Sequence, residues 1–113
     1  MAIKKFKIQN NHCVVIPSCN EIFDIKAIAG GVRDFINEND CKKLVLNLKG
    51  FNLVDAGNIS ILASAYHYSK YSKEGVFKII VDSEEIKKAL SHAKLDNTEI
   101  VVEDHLNSMY CTA

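Results

Sequence analysis

The sequence predicts an α/β fold, with a mixed, mostly parallel sheet of about five strands and three to four helices. Three observations carry this. Short apolar runs alternate along the chain with longer stretches whose apolar residues recur every three or four positions. Strands that alternate with helices require right-handed crossovers and a largely parallel sheet. Finally, 113 residues, 48% of them hydrophobic and 25% charged, make one domain that can enclose a core without a metal or disulfide staple.

Taken in order, Ile3 to Gln9 alternate apolar and basic residues as a half-exposed strand does, and Asn10-Asn11 supply a turn. His12 to Ile16 then form a compact apolar strand ended by Pro17, which completes an N-terminal hairpin. From Glu21 to Asn37, Ile22, Ile25, Ile28, Val32, Phe35 and Ile36 lay one stripe along an amphipathic helix. Gly30-Gly31 interrupts it, either to allow close packing or to bend the helix. Leu44-Val45-Leu46 and Leu48 form a buried strand, followed by a polar elbow with Gly50, Asp55, Gly57 and Asn58. From Ile59 a second helix runs to Lys73 and is stopped by Gly75. Val76 to Val81 is nearly continuous apolar sequence, the sign of a strand covered on both faces. Asp82 or Ser83 caps a third helix over Glu84 to Ala93, Glu99 to Val102 form a short strand, and Asp104 to Tyr110 suit a last helical turn or two.

Composition narrows the function. A formal net charge of zero argues against a general nucleic-acid binder, which needs a surplus of Lys and Arg on one face. No apolar run approaches the ~20 residues that span a bilayer, and the N-terminus lacks the apolar core of a secretory signal. A cytoplasmic location is therefore expected. Cys13, Cys19, Cys41 and Cys111 contain no Cys-x-x-Cys pair, so reduced thiols are expected rather than a zinc or redox site.

The block Leu44-Val45-Leu46-Asn47-Leu48, Asp55-Ala56-Gly57-Asn58-Ile59, Ile61-Leu62-Ala63-Ser64-Ala65, Val76 to Val81, Ile86 to Leu90 and Lys94-Leu95-Asp96 resembles the STAS domain. That family includes bacterial anti-sigma factor antagonists, stressosome subunits and cytoplasmic tails of sulfate transporters. The resemblance covers most of the chain and implies a single STAS-like domain over residues 1–113. It also implies a non-enzymatic signalling module with no cofactor. The implied partner is a protein: an anti-sigma factor, a signalling assembly, or the ATP-binding subunit of a lipid or solute transporter.

In switchable members of the family the elbow reads Asp-Ser-Ser-Gly and a partner kinase phosphorylates the second serine. Here those positions are Asp55, Ala56, Gly57 and Asn58, so the acceptor position, Gly57, has no hydroxyl. The switch adds about two negative charges at a helix start, and this chain lacks the residue that would carry them. The implied partner-binding residues are Asp55, Ala56, Gly57, Asn58, Ile59 and Ser60. Ser60 is a possible displaced acceptor or an ordinary first-turn serine, and Asp55 doubles as the expected N-cap.

Other readings are weaker. A receiver domain needs paired acids after its first strand, where this chain has Gln9-Asn10-Asn11. A small cysteine-dependent enzyme would use Cys13 or Cys19, but the loop between them has neither glycine nor arginine to hold a phosphoryl group. His12, His67, His92 and His105 lie in separate elements and default to the surface, with no metal site among them. Nucleotide binding is not expected without a glycine-rich phosphate loop. Tyr66 falls on the buried stripe of the second helix, whereas Tyr68 and Tyr71 could share an exposed contact face. A homodimer is left open.

Overall fold

The computed structural model describes residues 3–9, 12–17, 25–95 and 97–103. The elements are β1 (Ile3–Gln9), β2 (His12–Pro17), α1 (Ile25–Glu38), β3 (Lys43–Asn47), α2 (Leu53–Tyr71), β4 (Val76–Val81), α3 (Glu84–His92) and β5 (Thr98–Val102). A single 3-10 turn, Ser72–Glu74, links α2 to β4. The five strands lie in one sheet in chain order. β1 pairs antiparallel with β2 at one edge, and β2 through β5 are parallel.

Strand order equal to chain order means that every crossover steps the same way. With right-handed connections all three helices then fall on one side of the sheet, and the core confirms it. Cys13 and Val15, Leu44 and Leu46, and Phe77, Ile79 and Val81 are alternate residues of β2, β3 and β4, and all are buried in one cluster with Ile28, Val32, Ile36, Ile59 and Ala63 of the helices. Register places Cys13 opposite Leu44, and Leu44 opposite Phe77. The other parity, Val14, Val45, Lys78 and Glu99, forms a second row in register on the opposite face. None of those four is fully buried.

Several expected boundaries move. α2 begins at Leu53 rather than Ile59, because Asn52 caps it and Asp55, Gly57 and Asn58 lie inside its first turns. Their low helix propensity, under about 1 kcal/mol each, is outweighed by burial of Ala56 and Ile59 on the sheet side. α2 ends at Tyr71, short of Lys73, where Ser72 takes a φ of 54°. Ser83, not Asp82, caps α3: its Oγ accepts from the N–H groups of Glu85 (3.1 Å) and Ile86 (3.4 Å). α1 passes through Gly30-Gly31 without a break, and a methyl group at Gly30 would meet only an arginine tip at 3.8 Å. The Asn10-Asn11 turn, residues 21–24 of the first helix and the segment from Asp104 lie outside the described residues.

The cysteines also depart from expectation. Cys13 and Cys41 are joined by a disulfide, with 5.3 Å between their Cα atoms. Their separation of 28 positions hides the pairing in sequence. It arises because the connection from α1 to β3 returns alongside β2, so that Cys41, three residues before Leu44, comes within reach of Cys13, the register partner of Leu44. Cys19 and Cys111 lie outside the described residues.

Candidate functional site

The elbow between β3 and α2 is built by polar groups that fix a tight backbone. Leu48 continues the ladder, donating its N–H to Ile80 O at 2.8 Å. The Asn47 side chain then accepts from Lys49 N–H at 3.0 Å, which turns the chain. Gly50 follows at φ 94°, a left-handed conformation that a residue with Cβ rarely adopts. Its N–H donates to Asp82 Oδ2 at 2.8 Å, so the end of β4 holds the turn after β3. Lys49, only 6% exposed at its side chain, reaches Glu103 at the end of β5 with 3.1 Å between Nζ and Oε1. The buried ring of Phe51 anchors the turn beneath.

Asn52 then starts α2. Its Oδ1 accepts from Asp55 N–H at 2.8 Å, and its Nδ2 donates to Asp55 Oδ2 at 3.0 Å. This is a reciprocal cap of the capping-box kind, with Asp55 as the third helical residue and not the N-cap expected from sequence. The carboxylate sits at the positive end of the helix dipole, a favourable place for it.

The six residues singled out in sequence are brought together on one segment but divide between its two sides. Ala56, Ile59 and Ser60 are completely buried. Asp55 and Gly57 are half-buried, and Asn58 is exposed. Ser60 therefore cannot present a hydroxyl to a kinase in this fold, which corrects its reading as a displaced acceptor. Its Oγ has no hydrogen-bond partner among the described residues. Gly57 has the opposite character: a methyl group built on it meets nothing within 4 Å. Position 57 is thus open. Beside it stand Leu53 (37% exposed) and Val54 (68%), with Ile61 (49%) two turns on.

The sequence reading missed Asn52, Lys49, Asp82 and Glu103. Asn52 carried a usable signal, a capping residue three positions before an acid and next to an apolar run. The other three meet only through the sheet order.

Two further places gather polar side chains. An open groove of about 390 Å³ between α1 and α2 is lined by Arg33, Asn37, Tyr66, Ser69 and Lys70. Its cations are engaged by the protein itself: Arg33 pairs with Asp34, and the Lys70 ammonium donates to the carbonyls of Ile36 (2.6 Å) and Asn39 (3.3 Å). The second place surrounds His67, which is buried where the surface was expected. Its Nε2 donates to Cys41 O at 2.8 Å, and its ring stacks on Phe77 with 5.4 Å between centroids. Burial lowers its pKa, opposed by that hydrogen bond. Tyr71 Oη accepts from Cys41 N–H at 2.6 Å, so Tyr71 faces the α1–β3 connection and does not share an exposed patch with Tyr68. Burial raises its pKa.

Cys13 is buried and bonded to Cys41, so it offers no thiolate nucleophile. Among the described residues no group of three or more His, Cys, Asp or Glu could hold a metal ion, and no helix is long and apolar enough to cross a membrane. Compared with known proteins, the chain matches no family model, and no curated protein or solved structure matches it at a significant level.

Proposed function

We propose that this chain is a non-enzymatic docking module of the anti-sigma factor antagonist type, which binds a protein partner through the first two turns of α2 and has no serine phospho-switch. The observation that supports this best is the open space around Gly57, flanked by Val54 and Asn58 on a rigidly capped helix start. Leu53, Val54, Asp55, Gly57 and Asn58 supply the contacts. Ala56, Ile59 and Ser60 hold the helix on the sheet. With no hydroxyl at position 57, docking is constitutive, and any regulation acts through the partner or through another surface.

The test is capture from the native cell with wild-type, Gly57→Ala and Gly57→Asp baits. A partner retained by Gly57→Ala and lost from Gly57→Asp is expected, because a carboxylate at this point imitates part of the charge of a phosphate. Retention by Gly57→Asp would overturn the reading, as would a phosphate on Ser60. The captured protein also separates sigma regulation from transport: a kinase-like anti-sigma factor in one case, a transporter ATP-binding subunit in the other.

A further inference from the structure

All three helices lie on one face of the sheet, so the other face should be the more open, most of all near the strand ends, where lateral neighbours run out. Burial there runs the opposite way. In the middle of that face Val14, Val45 and Lys78 are half-buried and Glu99 is exposed. One step nearer the C-terminal ends of the parallel strands, Ile16 is 6% exposed, and Asn47 and Ile80 are each 9% exposed. Asn47, Ile80 and Val101 are register partners, and Ile16 follows Val14 by two positions, so these four form the next row of the same face. Ile16 and Ile80 stand outside the cluster that the helices form with the sheet. At the rim, Lys49 crosses the end of β4 to reach Glu103, yet its own side chain is only 6% exposed. A row this closed has a cover of its own, and none of the described helices supplies it.

The chain leaves the sheet beside this row. β5 ends at Val102, next to Val101, and residues 104–113 continue from Glu103. In them Leu106, Met109 and Tyr110 recur at three- and four-residue spacing, which makes one apolar helical face. As a helix the segment measures about 15 Å, against about 14 Å from β5 to β2 across the sheet. Residues 18–24 follow Ile16 closely, but they have to deliver the chain to Ile25 of α1 on the helical side, and Ile80 lies two strands away from β2.

We infer that residues 104–113 fold back across the helix-free face and close the row of Ile16, Asn47, Ile80 and Val101 through Leu106, Met109 and Tyr110. The inference does not rest on the docking reading. The root of the segment is Glu103, which holds Lys49 and with it the turn before α2, so the segment and the elbow share an anchor.

NMR of the full chain with labelled methyl groups tests this. Nuclear Overhauser contacts from the Ile80 and Ile16 methyls to Leu106, Met109 or Tyr110 are expected, unchanged on dilution. A soluble paramagnetic probe should barely broaden the Ile80 methyl in the wild type and should broaden it severalfold more in Leu106→Lys. Ile28, buried between helix and sheet, stays protected in both, and exposed Ile61 is broadened in both, which separates loss of the cover from loss of the fold. If Leu106→Lys uncovers Ile28 as well, the wild-type contacts decide alone. Absence of those contacts, contacts to Ile80 from residues 18–24 in their place, contacts that vanish on dilution as from a second copy, or an Ile80 methyl indifferent to Leu106→Lys would each overturn the inference.

Discussion

Two single residues show how burial decides chemistry here. His67 is 2% exposed, and its ring donates a hydrogen bond to the Cys41 carbonyl. Its pKa lies below the ordinary 6.5, first because burial disfavours the imidazolium and also because Lys70 is nearby. The unfolded chain therefore binds a proton at this site more readily than the folded one does. The resulting stability is fully present above pH 6.5 and is lost as pH falls through the lower folded value. We expect denaturant midpoints to drop on acidification from pH 7.5 to 5, and the drop to shrink in His67→Phe, whose ring keeps the contact with Phe77 without titrating. Gly75 exists for the same side chain. Its backbone is ordinary, with φ −79°, but a Cβ would stand 2.6 Å from His67 Cε1 and 2.9 Å from Tyr71 Cβ. Gly75→Ala should cost about 1–3 kcal/mol by overpacking, measured by urea unfolding, with partner capture unaffected. In sequence Gly75 reads only as a helix stop, since nothing local announces that a histidine eight positions back folds against it.

At the scale of elements, the start of α2, on which the proposed docking rests, is held from outside as much as from within. Asn52 supplies the cap, Asp82 holds Gly50, and Glu103 holds Lys49. Asn52→Ala should lower global stability by about 1 kcal/mol. It should also speed amide exchange at Leu53 through Asn58 ahead of the rest of the helix, and weaken partner binding more than that stability loss explains. Equal exchange along the whole of α2 would show that the cap does not govern the elbow. The alternation of strands and helices was legible because strand and helix periods differ and because the parallel strands, covered by helices on one side, are rich in apolar residues. The start of α2 was not, because Gly57, Asn58 and Asp55 are turn formers by local preference. Tertiary burial of Ala56 and Ile59 overrides that preference. The same override divides the site: sequence names the six residues at positions 55 to 60, but only the helical phase from Leu53 sends Ser60 inward and leaves Gly57 open.

For the molecule as a whole, the connection from α1 to β3 is the seam where sheet and helices are joined. α2 grips it through His67, Lys70 and Tyr71, which bond to Cys41 O, the Ile36 and Asn39 carbonyls, and Cys41 N–H. β2 grips it through the Cys13–Cys41 bond. A sequence scan for close cysteine pairs misses this bond because the partners are brought together by parallel pairing of β2 and β3 and not by spacing. Its effect is global, since it closes a loop that contains all of α1. A closed loop of 28 residues restricts the unfolded chain enough to contribute about 2–4 kcal/mol, a sizeable share of the ~5–15 kcal/mol that holds an ordinary domain together. We therefore expect Cys13→Ala/Cys41→Ala to lower the urea midpoint with little change in the slope of unfolding. A reductant should lower the wild-type midpoint to nearly the same value and leave the double variant unmoved. Because both cysteines are wholly buried, reduction without denaturant should be slow and should follow the rate of opening of the seam. If reductant shifts the double variant as far as the wild type, the stabilisation comes from elsewhere in the chain.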